Sequence, residues 1–87
     1  MGIYIAIVPL HWRWGTSVDQ AIGHAIDKFD PIMFQEKNQN LPISLYLLNK
    51  DMNDISRKKW LLSKDCTYLG LYRAFPKNDI WEWKKFI

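Results

Sequence analysis

The fold class is decided by residues 18–29, which read VDQAIGHAIDKF. Apolar side chains recur in this stretch at intervals of three and four residues, which is the spacing of one face of an α-helix. Ser17 and Gln20 have the spacing of a capping box, in which each side chain satisfies a backbone amide that the helix leaves unpaired. Asp30-Pro31 ends the helix, because the residue before a proline avoids helical geometry. We therefore predict an amphipathic helix whose apolar stripe packs on a sheet: Val18, Ala21, Ile22, Ala25, Ile26 and Phe29.

Apolar runs on either side of this helix predict the strands of the sheet. Residues 3–10 are rich in β-branched side chains and end at Pro9, which indicates a buried strand. Residues 32–37 form a weaker strand, and the polar residues after them turn the chain into a second strong run at 41–48, so these pieces predict a hairpin. Residues 67–75 are the last strong strand, ended by Pro76.

A second helix is expected between the hairpin and the last strand. Asp51 or Asn53 would cap it, and it would run to about residue 63 with Met52, Ile55 and Leu62 turned inward. Strand, helix, hairpin, helix and strand is the order of the ferredoxin-like βαββαβ sandwich, in which both helices cover one face of an antiparallel sheet. The first and third strands would be central, and the other face would be open. If residues 32–37 are a loop, a three-stranded βαβαβ arrangement is the alternative.

Length and composition indicate one soluble domain. A chain of 87 residues has room for a single core, so residues 1–87 are one domain. The single cysteine, Cys66, cannot form an internal disulfide, which fits a reducing compartment. The longest apolar run is too short to span a bilayer, and no charged segment precedes it as in a secretory signal. We therefore expect a cytoplasmic protein that does not enter a membrane.

Charge is distributed unevenly along the chain. Residues 1–49 carry three basic and four acidic side chains, whereas residues 50–87 carry nine basic and five acidic ones. A partner with negative charge would therefore meet the second half of the chain.

Strand alternation predicts a tyrosine-rich open face. If Ile3, Ile5 and Ile7 face the helices, then Tyr4 faces away from them, because side chains alternate across a strand. The same reasoning turns Ile43, Leu45 and Leu47 inward on the third strand, and Leu69 and Leu71 inward on the last one. All the tyrosines of the chain then lie on the open face: Tyr4, Tyr46, Tyr68 and Tyr72.

Three interpretations of that face are open. It could stack the bases of single-stranded nucleic acid. It could bind a protein or a second copy of the chain, because tyrosine and tryptophan are enriched in binding hot spots. Alternatively the aromatic C-terminal extension, with Trp81, Trp83 and Phe86, folds back and covers the face as ordinary core. In that extension Trp81 and Trp83 share a face if it is a strand, whereas Ile80, Trp83 and Ile87 align if it is a helix.

A second candidate site is the loop at residues 11–17, HWRWGTS. The N-terminus of the following helix would attract an anion near Thr16 and Ser17. Arg13 would grip a phosphate or carboxylate, and Gly15 would let the ligand approach the backbone. A catalytic variant would use His11 as a general acid or base. The structural alternative is that Trp12 and Trp14 cover the core while Thr16 or Ser17 merely caps the helix.

The remaining composition favours a binding module over an enzyme. Two histidines and one cysteine, widely spaced, match no zinc pattern, and no motif predicts a cofactor. The chain has five tryptophans, more than a core of this size needs, and most lie in predicted loops or marginal segments: Trp12, Trp14, Trp60, Trp81 and Trp83.

The leading hypothesis is a small non-catalytic module that docks on a larger macromolecule, in the first place a protein, as an inhibitor or regulator. Exposed aromatic side chains would anchor it, and the basic second half would steer association. The alternative is a single-stranded RNA- or DNA-binding protein that uses the tyrosine face. A second alternative is a phosphate-handling enzyme at residues 11–17.

Overall fold

The computed structural model describes residues 2–49 and 66–87, which form a small α+β domain with a five-stranded antiparallel sheet and two short helices. The elements in chain order are β1 (Ile3–Val8), β2 (His11–Gly15), α1 (Val18–Ile26), α2 (Pro31–Glu36), β3 (Leu41–Leu48), β4 (Cys66–Lys77) and β5 (Ile80–Lys85). The sheet order is β2-β1-β3-β4-β5. The helix expected between Asp51 and residue 63 lies outside the described residues.

Helix α1 confirms the prediction made from residues 18–29. Ser17 is its N-cap and accepts a hydrogen bond from the Gln20 amide at 3.1 Å. Four residues of the predicted stripe are buried and two are half-buried, and all six belong to the main core: Ala21, Ile22, Ala25, Ile26, Val18 and Phe29. The helix ends at Ile26, one turn before Pro31.

Two elements differ from the expected βαββαβ order. Residues 11–15 form strand β2 instead of a loop, because Pro9 and Leu10 turn the chain directly and pair Val8 with His11. Residues 31–36 form helix α2 instead of a strand. Asp30 caps α2 by accepting from the Ile32 amide at 2.9 Å, and Pro31 occupies the first helical turn, where its missing N–H costs nothing.

The strand order agrees with the prediction at the centre of the sheet and differs at its edges. β1 pairs with β3, as predicted for the first and third strands. β2 occupies the other side of β1, while β4 pairs with β3 and β5 follows β4. In the part of the chain that the structure describes, the sheet therefore has five strands, whereas the ferredoxin-like arrangement has four and its alternative three.

The side chains of β1 face opposite directions to those expected. Ala6 and Val8 are buried in the core with α1, and Tyr4 packs against it. Ile3 and Ile5 are buried in a separate cluster on the other side of the sheet, with Leu48. We call the side covered by α1 and α2 the helix face, and the other side the second face. Both faces of β1 are apolar, so alternation alone does not say which of them meets the helices.

A bulge in β4 separates the tyrosines. The register with β3 shifts between Leu45 and Tyr46, and Gly70 adopts a φ of +139° at this point. One residue is thereby inserted, so side chains on either side of the bulge change face relative to simple alternation. Tyr72 consequently packs on the helix face, whereas Tyr68 contacts Tyr46 on the second face.

The bulge also divides the two leucines of β4. Leu69 packs on the helix-face core, as expected. Leu71 pairs with Ser44 of β3, and Ser44 in turn pairs with Ile7 of β1, which packs on the second face. Residues paired directly across strands share a face, so Leu71 also points to the second face and its expected inward orientation is wrong. Tyr4 and Tyr72 likewise leave the predicted tyrosine face, and only Tyr46 and Tyr68 remain on the second face.

The C-terminal extension is a strand. β5 pairs with β4 through a tight turn at Asn78, whose φ of 58° is a left-handed conformation that asparagine tolerates. Trp81 and Trp83 share one side, as predicted for a strand, and pack against the helix-face core. The tail therefore extends the sheet at its edge and does not fold back over the tyrosines.

Candidate binding surfaces

The residues at the start of α1 hydrogen-bond to one another. The Thr16 amide and hydroxyl both donate to Gln20 Oε1, at 2.6 and 2.9 Å, and the Gln20 amide donates to Ser17 Oγ. Asp19 adds a carboxylate to the first turn. Thr16 and Ser17 thus cap helix α1, as the structural alternative for this loop expected. The polar groups of Thr16 and Ser17 named here bond to Gln20 and are not directed at an anion.

Packing against α1 requires a glycine at position 15. Gly15 is buried, and a Cβ added there would lie 2.6 Å from the Ala21 amide nitrogen and 2.9 Å from the Gln20 carbonyl carbon. The contact with α1 therefore accounts for the glycine, and its expected role in ligand approach stays a prediction.

Arg13 lines a groove of mixed charge. Its guanidinium donates to the Trp12 carbonyl at 2.8 Å. The groove has a volume of about 550 Å³ and is lined by Arg13, Trp14, Thr16, Gln20, His24 and Asp27. Because the Asp27 carboxylate lies in the same groove as the guanidinium, the site is a weaker one for anions than Arg13 alone would make.

His11 is held in place by α1. Its Nε2 lies 2.7 Å from the Ala25 carbonyl oxygen, and its ring stacks on Phe29 with centroids 5.5 Å apart. A carbonyl is a hydrogen-bond acceptor, so this nitrogen carries a proton as a donor. The contacts give His11 a structural role in joining β2 to α1.

Trp12 and Trp14 lie on the second face with the isoleucines of β1. Trp14 and Tyr46 sit on either side of Ile5 in the sheet register, and Ile5 is fully buried. The prediction that these tryptophans cover core residues is therefore confirmed, although they cover the second face and not the end of the domain.

Tyr46 and Tyr68 form an aromatic pair on the same face. Their ring centroids are 5.2 Å apart, and Tyr68 remains 53% exposed. Nearby Cys66 is half-buried, and this burial raises the pKa of its thiol. Cys66 is thus held in the protonated form, which is the less nucleophilic one.

The tryptophans of β5 make specific contacts on the helix face. Trp81 Nε1 donates to the Phe29 carbonyl at 3.2 Å, and its ring lies edge-on to Phe34. Trp83 Nε1 donates to the Asp19 carboxylate at 3.2 Å. Both were predicted as exposed binding residues, and both instead serve the interior packing of the domain.

A basic aromatic patch on β4 and β5 was missed by the sequence reasoning. It consists of Arg73, Phe75, Lys84 and Phe86, and we call it the β4–β5 patch. Arg73 lies 5.7 Å from the centroid of the Phe86 ring, and Lys84 lies 5.5 Å from that of Phe75. The two rings are 5.9 Å apart. The register places Arg73 beside Lys84 and, like Leu71, on the second face.

Two signals in the sequence point to this patch. Arg73 and Phe75 lie two positions apart on a predicted strand, which places the cation on the same side as the ring. Lys84 and Phe86 have the same spacing, and they share a side if the C-terminal extension is a strand. The patch also belongs to the basic half of the chain. Only the pairing of β4 with β5 shows that the four side chains meet.

The described residues limit the other classes of site. Within residues 2–49 and 66–87, no group of three or more His, Cys, Asp or Glu side chains is arranged to hold a metal ion. In the same part of the chain, the helices have nine and six residues and neither could cross a membrane. No protein-family model, curated protein or solved structure matches this chain.

Proposed function

We propose that this chain is a small non-catalytic binding module that docks on an acidic surface of a larger protein, as an inhibitor or regulator. The docking surface is the β4–β5 patch. The observation that carries the proposal is the pairing of each ring in this patch with a cation, Phe86 with Arg73 and Phe75 with Lys84.

These pairs suit the binding of a carboxylate-bearing partner. A guanidinium held over a ring loses less conformational freedom on binding than a free one, which reduces the entropic cost of association. Arg73 is further oriented by the Asn40 side chain, whose Oδ1 accepts from its Nη1 at 2.8 Å. Phe86 is 50% exposed and can bury apolar surface against the partner. Arginine and aromatic residues are the types enriched in interface hot spots.

A protein fits this patch better than a nucleic acid. Base stacking needs an uncovered ring face, but Arg73 and Lys84 each lie over the ring that a base would use. The Tyr46–Tyr68 pair supports single-stranded nucleic-acid binding as a second candidate, on the same second face but on the part of β4 that precedes its pairing with β5.

The experiment compares capture of partners by the wild-type chain and by an Arg73→Gln/Phe86→Ala variant. Met33→Ala is the matched control, because Met33 is 51% exposed on α2, away from the patch. Tagged proteins are used to capture partners from the native host, and each captured protein is then purified and titrated by calorimetry. We expect the double variant to lose about tenfold or more in affinity, while Met33→Ala binds as the wild type does.

Equal binding by the wild type and the double variant would refute the β4–β5 patch as the docking surface. A salt-dependent interaction with a mixed-sequence oligonucleotide that is lost in Tyr68→Ala would replace the protein by nucleic acid as the partner.

A further inference from the structure

The outer edge of β5 has backbone groups directed away from the sheet. The Phe86 amide donates to the Leu71 carbonyl at 2.8 Å, and the Leu71 amide donates to the Ile87 carbonyl at 3.0 Å. Leu71 therefore directs both backbone groups toward the C-terminal strand. Because successive residues of a strand alternate in direction, Trp81, Trp83 and Lys85 direct their N–H and C=O groups outward from β5.

The positions of the two prolines in the sheet agree with this direction of the β5 backbone groups. Pro76 pairs with Trp81, and Pro42 pairs with Arg73. Proline has no N–H to donate, so it is tolerated only where the adjacent strand makes no hydrogen bond to it. Trp81 opposite Pro76 is therefore a non-hydrogen-bonded pair, and its own groups face the other way.

The two edges of the sheet differ. On β2, the carbonyls of Trp12 and Trp14 already accept hydrogen bonds from the Arg13 and His24 side chains. On β5, no hydrogen bond within the described part of the chain engages the backbone of Trp81, Trp83 or Lys85 beyond the sheet. An edge with such groups is a template for pairing with another strand.

The charges of β5 select one partner and one register. We propose that β5 pairs antiparallel with β5 of a second copy of this chain, centred on Trp83, and joins the two sheets into one. In that register Trp83 faces its own copy and Trp81 faces Lys85, and each of these pairs can exchange two backbone hydrogen bonds. Glu82 then lies directly opposite Lys84 of the second copy, twice by symmetry, on the side where non-hydrogen-bonded pairs bring side chains closest.

In this register neither lysine of β5 lies opposite another lysine. Lysine on an edge strand normally prevents pairing, but the offset of two residues between Glu82 and Lys84 places opposite charges together. Both side chains are on the surface, and Glu82 is 58% exposed, so each can turn toward the second copy. This contact uses the sheet edge and shares Lys84 with the β4–β5 patch. The two proposals are tested separately, because Arg73→Gln/Phe86→Ala leaves both Glu82 and Lys84 unchanged.

The test is a charge exchange followed by sedimentation velocity. The wild-type chain is expected to sediment as a dimer of twice its 10.4 kDa at high concentration. Glu82→Lys places lysine opposite lysine, and Lys84→Glu places glutamate opposite glutamate, so each variant alone is expected to raise the dissociation constant about tenfold or more. An equimolar mixture of the two variants restores both opposite pairs and is expected to dimerise, as is the double variant Glu82→Lys/Lys84→Glu.

Two further measurements separate the contact from folding effects. Glu36→Lys makes the same change of charge on exposed α2 and is expected to leave the dimer intact. Amide exchange of Trp81, Trp83 and Lys85 is expected to slow as protein concentration rises, because their amides become hydrogen-bonded only in the dimer. A wild-type chain that stays at 10.4 kDa, exchange rates independent of concentration, or a mixture of variants that fails to dimerise would each overturn the proposal.

Discussion

Gly15 shows how one residue without a side chain joins two elements. Its Cα faces the first turn of α1 so closely that a methyl group would lie 2.6 Å from a backbone nitrogen, which cannot move aside as a side chain could. Gly15→Ala is therefore expected to lower the free energy of unfolding by about 1–3 kcal/mol. Chemical denaturation of the wild type and the variant measures this difference.

Gly23 provides the matched control for this prediction. It lies within α1, and a Cβ there would meet no atom within 4 Å. Gly23→Ala should therefore stabilise the protein by roughly 0.5–1 kcal/mol, because alanine loses less entropy than glycine in a helix. Equal effects of the two substitutions would contradict the packing role assigned to Gly15.

The raised pKa of the Cys66 thiol can be tested by measuring how fast the thiol is alkylated. Since burial raises its pKa, the thiol stays protonated in the folded chain at a pH where the thiol of the unfolded chain has begun to ionise. We expect iodoacetamide to react more slowly with the folded protein than with the urea-unfolded chain at a pH of about 8.5. Stability should correspondingly fall as pH rises above the usual thiol range, because the unfolded state then binds fewer protons. An alkylation rate as fast in the folded protein would show that Cys66 is not protected.

Helix α1 depends on its cap as well as on its apolar stripe. Ser17 Oγ accepts a hydrogen bond from the Gln20 backbone amide, and Gln20 Oε1 accepts two hydrogen bonds from the amide and hydroxyl of Thr16. Ser17→Ala should cost about 1 kcal/mol of stability, whereas Ser17→Asp, which keeps an acceptor, should cost much less. Thermal unfolding monitored by circular dichroism distinguishes the two. A loss as large in Ser17→Asp as in Ser17→Ala would argue against the capping bond.

The short elements were predicted less well than the long ones. Residues 18–29 have six periodic apolar positions, five of them within α1, and the helix prediction was correct because local spacing and capping agree. Residues 31–36 are too few for periodicity to distinguish a helix from a strand, and the cap at Asp30 decides the outcome. Residues 11–15 alternate tryptophans with polar or small side chains, as a strand does, and the prediction of a loop there is wrong.

At the scale of the whole molecule, both edges of the sheet reach α1. His11 and Trp14 of β2 hydrogen-bond to residues of α1, and so does Trp83 of the opposite edge strand β5. The sheet therefore curves around α1, and β5 completes the core on the helix face. This arrangement makes the stability of the domain depend on a C-terminal strand that is distant in sequence from the helix.

Substitution of Trp81 tests whether the stability of the domain depends on β5. Trp81→Ala removes its contacts with Phe29 and Phe34 and should lower the free energy of unfolding by about 3 kcal/mol, near the lower end for aromatic truncations because Trp81 is only half-buried. Ile80→Ala, at a neighbouring exposed position, should change stability little. Urea unfolding followed by both circular dichroism and tryptophan fluorescence measures the loss. Transitions at different urea concentrations for the two probes would show that β5 unfolds separately from the rest.

The amino-acid sequence by itself determined a helix within residues 18–29 and strands within residues 3–10, 41–48 and 67–75, because periodicity and capping act within short stretches of chain. The tertiary structure decided which face each strand presents. Apolar side chains occupy both faces of β1, so either orientation satisfies the pattern, and only the pairing with β2 and β3 selects one. The bulge at Gly70 then changes the face of Tyr72 and Leu71, and such a change depends on strand register and not on composition. For the same reason the β4–β5 patch and the outward edge of β5 exist only once the two strands are paired.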